Sequence, residues 1–155
     1  MNDFVSHLTR QAAYSRATFG PGARTEGVSD HVRKELKEIA SVYEIGGDPG
    51  VCHEQAALEW TDVVILGLDG LWRAISAAHP DWTFDRVATE AWVRIVAKQG
   101  RNELRNWPDW RTAEPGKAIE HVRTDEEVEA KAREAHVERS AITESPRPRS
   151  VGDRG

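Results

Sequence analysis

The sequence predicts an all-α protein built around one helical bundle. Apolar residues recur at three- and four-residue intervals through most of the chain. No stretch alternates like a strand, and glycine and proline gather at a few breaks between long periodic segments. A chain of 155 residues can bury one core but not two. All aromatic residues lie before position 124, and the rest is charged and runs into Ser-Pro-Arg-Pro-Arg-Ser near its end. Such a segment buries too little apolar surface to offset its ordering entropy. The working domain is therefore read as residues 1–123. Residues 124–155 are read as a solvated helix to about Ser140 and a disordered tail.

Phe4, Leu8 and Ala12 stand at i, i+4 and i+8 and give a short first helix. The run from Thr18 to Gly27, with two glycines around Pro21, breaks it. A second helix is expected from Ser29 or Asp30, with Val32, Leu36, Ile39 and Ala40 on its apolar face. Gly46-Gly-Asp-Pro-Gly50 ends that helix. The third, from about Glu54 to Ala78, is apolar nearly all round between Trp60 and Trp72, which suits a bundle core or a subunit interface. His79-Pro-Asp-Trp82 stops it. Thr83 then caps a fourth helix, about Phe84 to Arg105, with Phe84, Val87, Ala88, Ala91, Trp92 and Ile95 along one stripe, and Trp107-Pro-Asp-Trp110 follows.

Composition excludes several classes of function. A net charge of −5 argues against binding nucleic acid through its phosphate backbone. No apolar run reaches the length of a membrane span, and Met1–Arg10 lacks the order of a signal peptide. A single cysteine, Cys52, allows neither an internal disulfide nor a cysteine-rich zinc site. A soluble cytoplasmic protein is expected.

Three groups of residues could carry chemistry. Glu35 and Glu38 lie three apart on the second helix, and Glu59 and Asp62 repeat that spacing on the third. Facing each other, the pairs would set four carboxylates around one point, tolerable only with cations between them. All-oxygen ligation favours Mg²⁺ or Mn²⁺. Lys34 and Lys37 also allow Glu35 and Glu38 to be a solvated, ion-paired face. Asp62 is harder to treat that way, because it stands between Trp60 and Val63-Val-Ile-Leu66. Asp69 lies two turns further on, with Arg73 four residues beyond to pair with it. Lys98, Asn102 and Arg105, at i, i+4 and i+7, form a polar stripe suited to phosphate oxygens or simply to solvent. The glycine-rich loop lacks the Gly-Lys-Ser/Thr ending of a P-loop, though Arg24 and Thr25 give it donors. His53-Glu54 opens like a zincin helix, but Ala57 stands where the second histidine belongs.

The acid pairs followed by the Lys98–Arg105 stripe resemble the all-α nucleotide pyrophosphohydrolases of the MazG type. That family's first motif usually opens with an acid at the position of Lys34. The phrases Thr18–Glu38, Glu59–Arg73, Asn106-Trp-Pro-Asp-Trp-Arg111 and Ala118-Ile-Glu-His-Val-Arg123 are similar to the dATP/dGTP pyrophosphohydrolase branch, the MazZ type. The resemblance covers about residues 7–123. It implies hydrolysis of a purine deoxynucleoside triphosphate to the monophosphate and pyrophosphate, and assembly as a homodimer or homotetramer. It also implies, for some members, a place in phages that replace adenine by 2-aminoadenine. On this reading Glu35, Glu38, Glu59 and Asp62 hold Mg²⁺ or Mn²⁺, with Glu38, aided by Glu35, handling the attacking water. Lys98, Asn102 and Arg105 hold phosphate. Phe19, Arg24, Asp69, Trp107 and Trp110 surround the nucleoside, the aromatic rings either stacking on the base or closing the bundle. The rival readings are a nucleotide sensor without turnover and a helical interaction module pairing through Trp60–Trp72. A scaffold has no reason to embed Asp62 in its most apolar helix.

Overall fold

The computed structural model describes residues 3–124 together with Glu126 and Arg133. Among the described residues four α-helices follow one another: α1 (Asp3–Phe19), α2 (Thr25–Ile45), α3 (Pro49–Ala78) and α4 (Phe84–Glu103), and a 3-10 turn spans Trp110–Thr112. No strand occurs among the described residues, so the all-α expectation holds. The helix expected over 124–140 and the tail after it fall outside the described residues, save for Thr124, Glu126 and Arg133. The chain divides into two compact units between Gly100 and Arg101.

In the first unit, Leu8 and Ala12 of α1, Trp72 and Ile75 of α3, and Val87, Ala88 and Ala91 of α4 form the buried core. Phe4 and Trp92 close one edge, their ring centroids 5.1 Å apart. Helix α2 packs along α3. The three-residue connection between them makes the pair antiparallel. The two helices meet at Gly70 and Val28, where a Cβ on the glycine would lie 3.4 Å from Val28 Cγ1, an ordinary van der Waals contact.

Several boundaries differ from the sequence expectation, each for a local reason. Helix α1 runs on to Phe19 because Ser15 continues the buried line of Leu8 and Ala12. Helix α2 starts at Thr25 rather than Ser29 or Asp30. Arg24 adopts φ 49°, and its carbonyl accepts from Val28 N–H at 3.0 Å, closing the first turn early. Helix α3 begins at Pro49, not Glu54: Asp48 Oδ1 accepts from Gly50 and Val51 N–H at 2.9 and 3.2 Å, with proline in the first turn. Helix α4 ends at Glu103, short of Arg105, whose N–H donates to the Asn102 carbonyl at 3.2 Å.

Two faces also differ. On α2 the buried residues are Glu35 and Ile39, whereas Leu36 is exposed. The contact with α3 thus selects the line Val28, Val32, Glu35, Ile39 and turns a carboxylate inward. On α3 the apolar centre is only partly covered: Trp60 is 50% and Val64 60% exposed in the single chain.

The second unit folds back on itself. Val122 N–H donates to the Asn106 carbonyl at 2.8 Å, and the Trp107 ring meets His121 edge-on at 5.7 Å. Asp109 caps the 3-10 turn by accepting from Arg111 N–H at 3.0 Å.

Candidate active site

Glu35, Glu38 and Glu59 converge where α2 faces α3. One oxygen from each lies within 4.8 Å of the others. Glu35 is only 5% exposed. His31 Nε2 stands 3.1 Å from its Oε1. Lys34 Nζ lies 2.9 Å from Glu38 Oε1 and 3.9 Å from Glu35 Oε1.

The electrostatics show an incompletely neutralised cluster. Partial loss of hydration, then the charges of Glu38 and Glu35, push the Glu59 carboxyl above its ordinary value. The hydrogen bond from Lys34 holds Glu38 below its ordinary value, and the same bond raises Lys34. Three oxygen donors, one on a buried side chain, with one lysine among them, fit a hard divalent cation. Asp62 is exposed and lies outside this group, although its charge adds to the upward push on Glu59. The expectation of an embedded Asp62 fails because this side of α3 is open in the single chain.

Beside the acids lies a cavity of about 270 Å³ walled by α1, the start of α2 and α3. Tyr14, Phe19, Arg24 and Asp69 line it, and so do His31 and Lys34, which carry the wall over to the carboxylates. Tyr14 and Phe19 meet edge-on, with centroids 6.4 Å apart. Arg24 folds back so that Nη1 donates to the Phe19 carbonyl.

Asp69 does pair with Arg73, and the pair is part of a larger clamp. Arg73 is 1% exposed. Its Nε donates to Asp69 Oδ2 at 2.9 Å, Nη2 to Ser15 Oγ at 2.8 Å, and Nη1 to the Gly20 and Gly22 carbonyls at 3.1 and 2.7 Å. Trp72 Nε1 donates to Asp69 Oδ1 at 2.9 Å. The two glycines have φ of 82° and 89°, a conformation that other residues resist, and their carbonyls turn onto the guanidinium. The cavity rim is thereby tied to the core.

Of the remaining candidates, Lys98 is exposed on α4. Asn102 and Arg105 lie in the second unit, where Arg105 Nη1 donates to Asn102 Oδ1 at 3.1 Å. Trp107 and Trp110 belong to that unit too. Trp107 Nε1 donates to the Asn102 carbonyl at 2.7 Å, and the Arg111 guanidinium sits 4.8 Å from the Trp110 ring centroid. Sequence reasoning missed Gln11, Tyr14 and His31 as cavity-lining residues. His31 had a usable signal, standing four residues before Glu35 on the same helix face. Gln11 and Tyr14 had none, because only the tertiary approach of α1 to α3 brings them in.

Residues 7–126 match the family model of the dATP/dGTP pyrophosphohydrolases. The chain belongs to this family. No curated protein and no solved structure matches it. As a dATP/dGTP pyrophosphohydrolase it is a nucleoside triphosphate diphosphatase acting on purine deoxynucleoside triphosphates, and the sensor and scaffold readings give way to an enzyme. Among the described residues, no helix is long and apolar enough to cross a membrane.

Proposed function

We propose that this dATP/dGTP pyrophosphohydrolase is metal-dependent, with Glu35, Glu38 and Glu59 holding Mg²⁺ or Mn²⁺ beside a cavity that takes the nucleoside. The observation that carries this reading is the continuity of the two features: His31 and Lys34 line the cavity and contact the acids. When bound, the cation supplies neutralisation of triphosphate charge and activation of a water. Glu38, the more exposed of the two α2 acids, orients that water and accepts its proton. Asp62, a turn along from Glu59, adds negative charge on the same helix. Phe19 offers an aromatic face to the purine, and Arg24 and Asp69 flank it. Lys98 balances charge on the departing pyrophosphate; Lys98→Ala then raises KM, and unchanged kinetics would contradict that role. The exposed Trp60 and Val64 face of α3 pairs subunits into a homodimer or homotetramer, which a solution mass measurement checks against the monomer.

The metal site is tested by Glu59→Gln. In the folded chain Glu59 holds its proton more tightly than an unfolded glutamate does. Its contribution to stability is therefore present below the ordinary value of 4.5 and lost as pH rises through the raised folded value. At neutral pH the charge is a liability until a cation is bound. Without metal, Glu59→Gln is expected to melt above the wild type, and the gap to close at acid pH. The variant is also expected to lose the rise in Tm that Mn²⁺ gives the wild type. Equal melting together with an undiminished Mn²⁺ response would contradict the assignment.

A further inference from the structure

We propose that Lys34 is a displaceable counter-ion, which occupies the acid cluster in the metal-free protein, yields that place to the divalent cation and then binds the phosphate chain of the nucleotide. The inference rests on the metal-dependent reading above and adds to it a residue that moves between two anionic partners.

Three features of the structure support it. First, the ammonium lies among the donors the cation needs, 2.9 Å from Glu38 Oε1 and 3.9 Å from Glu35 Oε1. A lysine at that distance competes with a divalent ion for the same carboxylate charge and repels it. Second, Lys34 has somewhere to go. Its side chain is 63% exposed, sits on a flexible four-carbon stem and already forms part of the cavity wall. Third, its neighbours on that wall suit the role less well. His31 is charged only when protonated and is engaged by buried Glu35. The Arg24 guanidinium is folded onto the Phe19 carbonyl. Lys34 is left as a mobile, permanent point charge where the nucleoside cavity meets the acids. There a triphosphate, with more negative charge than one divalent ion neutralises, needs a further cation.

This exchange predicts opposite effects of one substitution on two ligands, which a purely structural lysine does not give. Lys34→Met keeps the length of the stem and removes the charge, and the exposure of the side chain leaves α2 intact, as its circular dichroism checks. Calorimetric titration of the full chain with Mn²⁺ alone is expected to show binding several-fold tighter in the variant than in the wild type. Titration of the Mn²⁺-saturated proteins with α,β-imido-dGTP, which resists hydrolysis at that bond, is expected to show binding weaker by about tenfold in the variant, the size of one charge-assisted hydrogen bond. Lys34→Arg restores much of the analogue binding. Unchanged or weaker Mn²⁺ binding in Lys34→Met, or undiminished analogue binding, overturns the exchange while leaving the metal site standing. Failure of the wild type itself to bind Mn²⁺ overturns the metal-dependent reading and the exchange with it.

Discussion

Arg73→Met is expected to destabilise the protein more than any other single substitution considered, by about 3–5 kcal/mol, the cost of removing one partner from a buried ion pair. The guanidinium is fully buried, and five acceptor contacts depend on its fork: Asp69, Ser15, the two glycine carbonyls and the face of Trp72. Methionine replaces part of the volume but leaves Asp69 as a buried carboxylate with only the Trp72 indole N–H to answer it. It also leaves the Gly20 and Gly22 carbonyls without their donor. Denaturant unfolding measures the loss. Arg73→Met combined with Asp69→Leu is expected to recover part of it, because the unpaired charge is then gone. A variant as stable as the wild type would mean that the clamp does not hold the cavity rim.

Glu38→Gln is expected to abolish turnover while leaving the fold in place. The carboxylate side chain is 43% exposed and bonded to Lys34, so an amide of the same shape causes little structural loss. It removes a charge from the cation's donor set and the base that takes the proton from water. Loss of a positioned base alone lowers kcat by about 10²–10⁴-fold. Weakened metal binding adds to that, so excess Mn²⁺ is expected to restore only part of the activity. Single-turnover rates with saturating Mn²⁺ separate the two effects. Wild-type rates in Glu38→Gln would move the catalytic role off Glu38.

The sequence carried the local part of this structure and little of the tertiary part. Acids three apart on two helices are legible because helical geometry alone sets them on one face. The Asp69–Arg73 pair is legible for the same reason at a spacing of four. The burial of Glu35 was not, because Leu36 is the better apolar residue and only the packing of α2 on α3 selects the face that carries the acid. The reach of Arg73 to Gly20 and Gly22 crosses more than fifty residues of sequence, which no periodicity reports. The Asp48-Pro49 start of α3 is a different kind of miss. The cap and first-turn proline stand in the sequence, but the glycines around them suit a longer loop equally well. The apolar centre of α3 reads as core or interface, and a single chain leaves much of it uncovered.

The measurement that tests the central claim most directly is product analysis of the purified protein with dGTP, dATP, dCTP and dTTP, each with Mg²⁺ or Mn²⁺ and again with chelator. The expected result is monophosphate and pyrophosphate from the two purines, lost with chelator and in Glu38→Gln. Purine hydrolysis that persists undiminished in chelator, or no consumption of any triphosphate with either metal, would contradict a metal-dependent site at Glu35, Glu38 and Glu59.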